Sequence, residues 1–444
     1  MRPCIHGLQH NTGSPTGGQI QTVDYLEAID YVQSIPWTGK KLGLDRIRLL
    51  LSRMGDPQKE LRFIHVAGTN GKGSICEMTA SILQEAGYRV GVFVSPYVMR
   101  FNERIQVDHK QIPDNELAAV ITGIKEKAEG MEDKPSFFEM ITAAALQYYR
   151  DRGCDYVVLE VGMGGRLDAT NVIDLPLVAV IATIGLDHTA QLGNTLPAIA
   201  YEKAGIIKEG GRIVAYSQGE EVIEVFRKRA EEMNAGLIVA DFTRIEKTGE
   251  DSRYQYFRYK DSGIYALPLL GDHQLRNAAT VLEAIEVLRE EGVDIPQDSI
   301  AGGLKKASWP GRFEILSTEP LFIVDGGHNP EGACAAVETF KGRYPGRKAV
   351  VITGVSKGKD IQSILSKVDE IAVNFIAVQA DTSRSVALMD LTDILKQFGK
   401  PVFSADSIPE GIKEAFRIRK DDEIILAVGT LYTVGEIRRY FGRE

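Results

Sequence analysis

The chain has 444 residues, 44% hydrophobic and 25% charged, with a net charge of −9. That length fits two or three domains, each with a full hydrophobic core. The acidic balance argues against broad nucleic-acid or anionic-membrane binding, while leaving room for an anionic small substrate in a locally basic pocket.

No apolar run approaches the roughly 18 residues needed to span a bilayer, so no membrane association is expected. Residues 1–20 lack an apolar core of the signal-peptide kind, and their Gly/Ser/Thr/Asn-rich stretch reads as a flexible tail. The four cysteines, Cys4, Cys76, Cys154 and Cys334, are scattered without a CxxC pair. That usage fits reduced thiols and a cytoplasmic location.

From there the pattern alternates strand and helix, as in an α/β sheet covered on both faces. Residues 62–67 read as a strand, 74–86 as a helix and 90–94 as a second strand. Apolar residues at helical spacing follow in 137–149, then β-rich runs at 156–161 and 177–183. Near-continuous apolar strands of this kind indicate a parallel sheet buried on both sides. Residues 201–208 read as a helical run ending near Gly210-Gly211. In 243–270 aromatic and polar residues alternate, predicting antiparallel strands at a sheet edge, and a helix is expected at 275–290. The helical pattern breaks around Ser308-Trp309-Pro310-Gly311, which predicts a domain boundary within 305–313. A second α/β series follows, with strands at 321–324, 349–352, 375–378 and 423–428.

The most informative segment is Gly68-Thr69-Asn70-Gly71-Lys72-Gly73-Ser74, set between a buried strand and a helix start. Glycines let successive backbone N–H groups turn toward phosphate oxygens, and the helix N-terminus adds a favourable field. Lys72 supplies a cation for the outer phosphates, and the Ser74 hydroxyl can reach a metal ion. The spacing departs from GxxxxGK[ST], because Gly73 separates Lys72 from Ser74 and Val66 stands at the first glycine position; an incidental glycine-rich turn is the competing reading. Gly162-Met163-Gly164-Gly165-Arg166-Leu167 imitates a dinucleotide fingerprint but lacks its last glycine, so a Rossmann cofactor is disfavoured.

Ligands of open parallel sheets gather at the carboxyl ends of strands. Ser95, Glu160 and His188 all stand at such ends. Magnesium prefers oxygen ligands and needs few from the protein, so Glu160 suits it, whereas a histidine such as His188, taken alone, is more often a satisfied structural residue. By spacing alone, Lys203 reads as a solvated surface lysine.

Taken together, the chain resembles the folylpolyglutamate synthase/dihydrofolate synthase family of Mur-type ATP-dependent amide ligases. The resemblance rests on GTNGKGS (68–74), SPYVMRFNERI (95–105), FFE (137–139), EVGMGGRLDATN (160–171), IGLDH (184–188), EKAGIIK (202–208), GDHQLRNA (271–278), WPGRFE (309–314) and DGGHNP (325–330), in family order. It implies a P-loop NTPase-like Mur ligase central domain over 21–305, with a mostly parallel sheet and a small antiparallel one, and a smaller Rossmann-like α/β domain over 306–444.

It also implies roles. ATP would be held by Gly68 to Ser74 together with Asn277, Arg312 and Asp325. Two magnesium ions would be held by Ser74, Ser95, Glu160, His188 and Lys203, the last bearing a carbamate. Lys72, His188, Lys203 and His328 would serve catalysis. The pterin-containing substrate would be held by Gly43, Leu44, Asp45 and Arg46, by Ser136, Phe137, Phe138 and Glu139, and by Leu167, Asp168 and Ala169. A potassium requirement and a monomeric state are further implications.

Two positions depart from the family's usual residues: Tyr97 stands where histidine is common, bordering the expected folate pocket, and Gly327 stands where alanine is common. The activity implied is addition of L-glutamate to dihydropteroate, to reduced folates, or to both, through an acyl phosphate with release of ADP and phosphate. Another Mur-type amide ligase, a P-loop phosphotransferase and a nucleotide-regulated binding protein are the alternatives.

Overall fold

The computed structural model describes residues 24–36 and 43–443; the tail expected over 1–20 lies outside them. Three sheets organise the chain. The first contains β1 (Phe63–Ala67), β2 (Val90–Phe93), β3 (Ile105–Val107), β4 (Lys110–Gln111), β5 (Tyr156–Glu160), β6 (Val178–Ile181), β7 (Arg212–Ala215) and β8 (Gly236–Val239). Their order is β4-β3-β2-β5-β1-β6-β7-β8. From β2 to β8 the neighbours run parallel, and β3 and β4 add an antiparallel edge. Every residue of β1, β2, β5 and β6 is buried, the physical reason their sequences are nearly uninterrupted apolar runs.

β9 (Ile245–Glu250), β10 (Gln255–Tyr259) and β11 (Tyr265–Leu267) form a separate three-stranded antiparallel sheet. The aromatic alternation was thus a sound strand signal, but these strands do not extend an edge of the large sheet. Phe257, Tyr259, Tyr265 and Leu267 instead bury their inward side in the same core as the helix Asp272–Glu290.

The third sheet runs β12-β13-β17-β14-β15-β16. Its strands are β12 (Glu314–Thr318), β13 (Leu321–Asp325), β14 (Ala349–Thr353), β15 (Ala372–Ala377), β16 (Val402–Ser404) and β17 (Ile424–Val428). All pair parallel except β12, which is antiparallel to β13.

Two element boundaries move for identifiable reasons. The helix expected from Ser74 starts at Lys72, because Gly71 at φ +86° forms its N-terminal cap. The helix expected over 201–208 is Leu196–Ala204. It ends where Gly205 meets the Arg166 backbone so closely that a Cβ would lie 2.4 Å from Arg166 Cα.

Several contacts hold the third sheet's layer against the first. Trp309 lies on Gly73, where a Cβ would come within 2.7 Å of the indole Nε1. Glu77, buried on the Lys72–Glu85 helix, accepts from Ser308 N at 2.9 Å. On the C-terminal helix Leu431–Tyr440, Gly435 abuts the Val98 carbonyl, and Arg439 donates to Met99 O at 2.8 Å.

Candidate active site

Because β2, β5, β1 and β6 are parallel neighbours, the segments that follow them emerge along one edge of the sheet. There they meet the helix Asp272–Glu290 and the loops of the third sheet around a cleft of about 1580 Å³. Gly68 to Ser74, Ser95, Glu160, His188, Lys203, Asn277, Arg312, Asp325 and His328 all line this cleft. Every residue expected to serve ATP, metal or catalysis therefore faces one space.

The phosphate loop is braced from outside. Thr69 N donates to Thr183 O at 2.7 Å, Gly185 N donates to Thr69 Oγ1 at 3.1 Å, and Thr183 Oγ1 donates to Asn70 O at 3.2 Å. Asn70 also exchanges amide hydrogen bonds with Asn329 of the third sheet's layer, at 3.3 and 3.0 Å. Behind the helix start, Gln274 donates to Ser74 Oγ at 3.2 Å and accepts from Asn277 Nδ2 at 3.0 Å.

Glu160 ends β5 as a buried carboxylate. Burial raises its pKa, opposed first by the Lys72 ammonium, whose Nζ lies 3.7 Å from Oε1. Its Oε2 accepts from Ser95 N at 3.2 Å. Arg104, buried against the rings of Tyr97, Phe101 and Phe137, donates to Ser95 Oγ at 2.8 Å.

Lys203 is 5% exposed, not solvated. Its Nζ donates to Gly68 O at 2.7 Å, and burial together with the nearby Lys72 charge lowers its pKa to about 7. The buried Ile199 and Ala200 share its helix face, but the group that accepts its hydrogen bond lies in the phosphate loop, 135 residues away.

His188 is half exposed in a left-handed conformation at φ +51°. Its neighbour Asp187 accepts from Lys359 Nζ at 2.6 Å, and this ion pair joins the first sheet's layer to the third. Lys359 holds the Asp187 pKa down at about 2 against the effect of burial. His328 Nδ1 lies 3.0 Å from Gly326 O. A carbonyl only accepts, so Nδ1 carries the proton; burial keeps this ring neutral, its pKa lowered to about 4. Asp325 is buried and accepts from Phe313 N and Gly327 N at 2.8 and 2.7 Å, thereby fixing the loops on both sides of Arg312 and His328.

Among the described residues, no three His, Cys, Asp or Glu side chains converge to hold an ion by themselves. The donor set, one buried carboxylate flanked by serine hydroxyls beside a phosphate-type loop, fits magnesium arriving on a nucleotide, since this ion takes few protein ligands and completes its shell with phosphate and water. As an amine bonded to Gly68 O, Lys203 is not itself a metal ligand.

The residues expected to hold the pterin do not line the cleft. Arg46 donates to Glu139 at 3.1 Å and to Asp133 at 3.2 Å. Glu139 also accepts from Ser136 N, closing a capping box on the helix Phe137–Asp151. Asp45 is exposed, whereas Leu44, Phe137, Asp168 and Ala169 are buried; Gly43 and Leu167 are half-buried. This group adjoins the cleft where the Phe138 ring presses on Gly162, a cleft residue. Tyr97, the first departure from family usage, contributes its ring to the Arg104 cluster. At the second, a methyl on Gly327 would meet the Gly332 carbonyl at 2.8 Å, so this exchange is not neutral in size here.

Sequence reasoning missed Asp187, Asn329, Arg104, the cleft-lining His273 and Lys359. The first four lie inside quoted motifs. Lys359 carries a signal of its own, two lysines flanking a glycine shortly after an apolar strand in Gly354-Val355-Ser356-Lys357-Gly358-Lys359.

Residues 66–285 match the Mur ligase middle domain and residues 311–431 match the Mur ligase, glutamate ligase domain. A dihydrofolate synthase/folylpolyglutamate synthase of Bacillus subtilis is 37% identical, over 94% of this chain and 98% of that protein. Mycobacterium tuberculosis folylpolyglutamate synthase, solved with ADP and AMPPCP, superposes with a TM-score of 0.87 at 29% identity, covering 95% of this chain and 98% of the other. Escherichia coli FolC, solved with DHPP and ADP, gives 0.83 at 29% identity over 95% and 98%. With sequence likeness spanning nearly its whole length, a shared fold and both Mur ligase domains, the chain belongs to the folylpolyglutamate synthase/dihydrofolate synthase family of Mur ligases.

Proposed function

We propose that this protein is an ATP-dependent ligase that joins the amine of L-glutamate to a pterin acid, acting both on dihydropteroate and on the γ-carboxylate of reduced folates. The observation that carries this reading is the single cleft in which a phosphate loop and Glu160 from the first sheet face Arg312, Asp325 and His328 from the third. A simple phosphotransferase has no need of that second wall.

A carboxylate does not condense with an amine in neutral water, because its oxygen is a poor leaving group. Phosphorylation removes that obstacle. A carboxylate oxygen attacks the γ-phosphorus of ATP, the bond to the β-bridging oxygen breaks, and ADP leaves. The glutamate amine then attacks the acyl carbon and loses a proton, and phosphate departs with the former carboxylate oxygen. Lys72 and Arg312 supply fixed positive charge where the transferring group gains negative charge. The loop N–H groups cradle the phosphates. Magnesium, held by Ser74, Ser95, Glu160 and His188, supplies further charge neutralisation there when bound.

Lys203, its pKa lowered to about 7, has at neutral pH a free-amine fraction able to form a carbamate with carbon dioxide, which would turn a cation into an oxygen ligand. Asn70–Asn329 and Asp187–Lys359 hold the two walls together, excluding the water that would hydrolyse an acyl phosphate.

The test offers ATP, magnesium and glutamate with dihydropteroate or tetrahydrofolate, the acid carrying ¹⁸O in its carboxylate. One amide product per ADP and label in the released phosphate are expected. Unlabelled phosphate, or ADP without an amide, would overturn the reading.

A further inference from the structure

The loop Gly162–Thr170 carries Gly162 and Met163 into the cleft wall and Leu167 to Ala169 toward the expected pterin site. Its conformation draws on two buried side chains, Asn171, whose Nδ2 donates to Arg166 O at 3.1 Å, and Asp168. Asp168 Oδ2 accepts from Met163 N at 2.9 Å, and Oδ1 accepts from Thr170 N at 3.0 Å and from Thr170 Oγ1 at 2.6 Å. Both carboxylate oxygens thus serve to fold the loop, and the single Thr170 hydroxyl proton points at Asp168.

Thr170 Oγ1 has a second neighbour, His65 Nε2, at 2.9 Å. Having given its proton to Asp168, the hydroxyl can only accept here, so the proton lies on Nε2. The opposite nitrogen, Nδ1, is then the bare one, and it is buried with no hydrogen-bond partner. His65 is completely buried in β1, three residues before the phosphate loop. The charge-free ring is therefore held in one tautomer within a one-way chain, His65 Nε2–H to Thr170 Oγ1–H to Asp168. The same loop bears on Lys203: Arg166 N donates to Glu202 O at 2.8 Å, and Asn171 Nδ2 donates to Gly205 O at 3.0 Å.

We propose that His65 is a positioning residue for the acid substrate: through Thr170 it fixes Asp168 and hence the loop that forms the pterin side of the site, so the strand feeding the ATP loop also sets the fit of the other substrate. This rests on the folate reading above. A histidine is suited to the place because it offers one donor at ring distance from the strand without adding a charge to the core.

The experiment compares His65→Phe and Thr170→Val, which break the chain, with His65→Gln and Thr170→Ser, which keep a donor at each step. KM for dihydropteroate and for ATP, kcat and thermal melting are measured for each. The breaking variants are expected to raise KM for the pterin acid about tenfold, with KM for ATP within about twofold, and the conservative variants to restore it. Where a breaking variant melts too low for kinetics, its thermal shifts with dihydropteroate and with ADP are compared, and only the former should be lost. The proposal is overturned if the acid KM is unchanged in a folded His65→Phe protein, if both KM values rise together, or if the conservative variants behave like the breaking ones. Absence of any amide product from the wild-type protein would instead remove the folate reading itself.

Discussion

Replacing Gly73 with alanine tests why the phosphate loop departs from the usual spacing. A Cβ at this position would lie 2.7 Å from Trp309 Nε1 and 2.8 Å from Cε2 and Cζ2, about 1 Å inside ordinary non-bonded contact. The indole cannot simply retreat, because the preceding residue, Ser308, is held by Glu77 on the same helix whose first turn contains Gly73. Alanine favours the helix by about 1 kcal/mol, whereas three contacts below 3 Å place this case in the upper part of the usual overpacking cost, about 2–3 kcal/mol. The net, about 1–2 kcal/mol against the docked arrangement, corresponds to roughly 5–30-fold in a two-state population. Glutamate-dependent ADP release should fall by that order. Only two tryptophans are present, so in a Trp37→Phe background Trp309 is the sole indole emitter and its spectrum should shift as it leaves Gly73. Trp309→Leu deletes all three clashing atoms, so in the double variant most of the alanine penalty should vanish, giving a coupling on the order of 1 kcal/mol. Wild-type activity and melting of Gly73→Ala, or strictly additive losses in the double variant, would refute the steric account.

Lys203→Ala should lower ligation by about two to three orders of magnitude, on the scale of losing a charged partner at the reacting phosphate; a purified, folded variant with near-wild-type turnover defeats both the carbamate and the metal role. Gly435→Ala places a Cβ 2.2 Å from Val98 O, and should cost about 1–3 kcal/mol in thermal or denaturant unfolding and separate the C-terminal helix from the Ser95 loop, which hydrogen exchange at Val98 and Met99 would report. His109 lies 3.4 Å from Glu77, and that carboxylate, opposed by partial burial, raises its pKa above the usual 6.5. Its contribution to stability is therefore full below pH 6.5 and fades as pH rises through the folded-state pKa, so the melting-temperature difference between wild type and His109→Gln should be present at about pH 6 and lost in the alkaline range.

Much of the fold was legible because both large sheets are buried on two sides. A strand such as Val157-Val158-Leu159 has no polar face to disguise it, and the turn glycines after β1 and β5 mark where it stops. The small sheet was legible as strands but not in its placement. Alternation in Tyr254–Tyr259 states that one face is covered without stating by what, and the cover comes from the helices Asp272–Glu290 and Gln297–Lys306, absent from the local pattern. Gly73 is a related case. Within its own segment it only weakens a motif, and its necessity comes from Trp309, 236 residues further on.

The site divides along the same physical line. Lys72, Ser74 and Glu160 could be read from local context because a loop between strand and helix, and an acid at a strand end, have few other uses. Lys203 could not. On the helix Leu196–Ala204 it follows Tyr201 and Glu202, which are not buried, and although the buried Ile199 and Ala200 share its face, nothing within a turn of it supplies a partner for a buried amine. It is buried because Gly165 packs against the backbone at Lys203, where a Cβ would lie 2.8 Å from its carbonyl oxygen, and because Gly68 O accepts from its ammonium. A lysine with its pKa brought to about 7 is thus produced jointly by two loops and a helix end, each of which also serves another component of the proposed reaction. In that reaction the loop after β1 would hold phosphate, the loop after β5 would shape the acid site, and the helix end between them would present the amine. Shifting any one of them moves the other two, which is why the chemistry of this lysine is a property of the assembled sheet edge and not of its own segment.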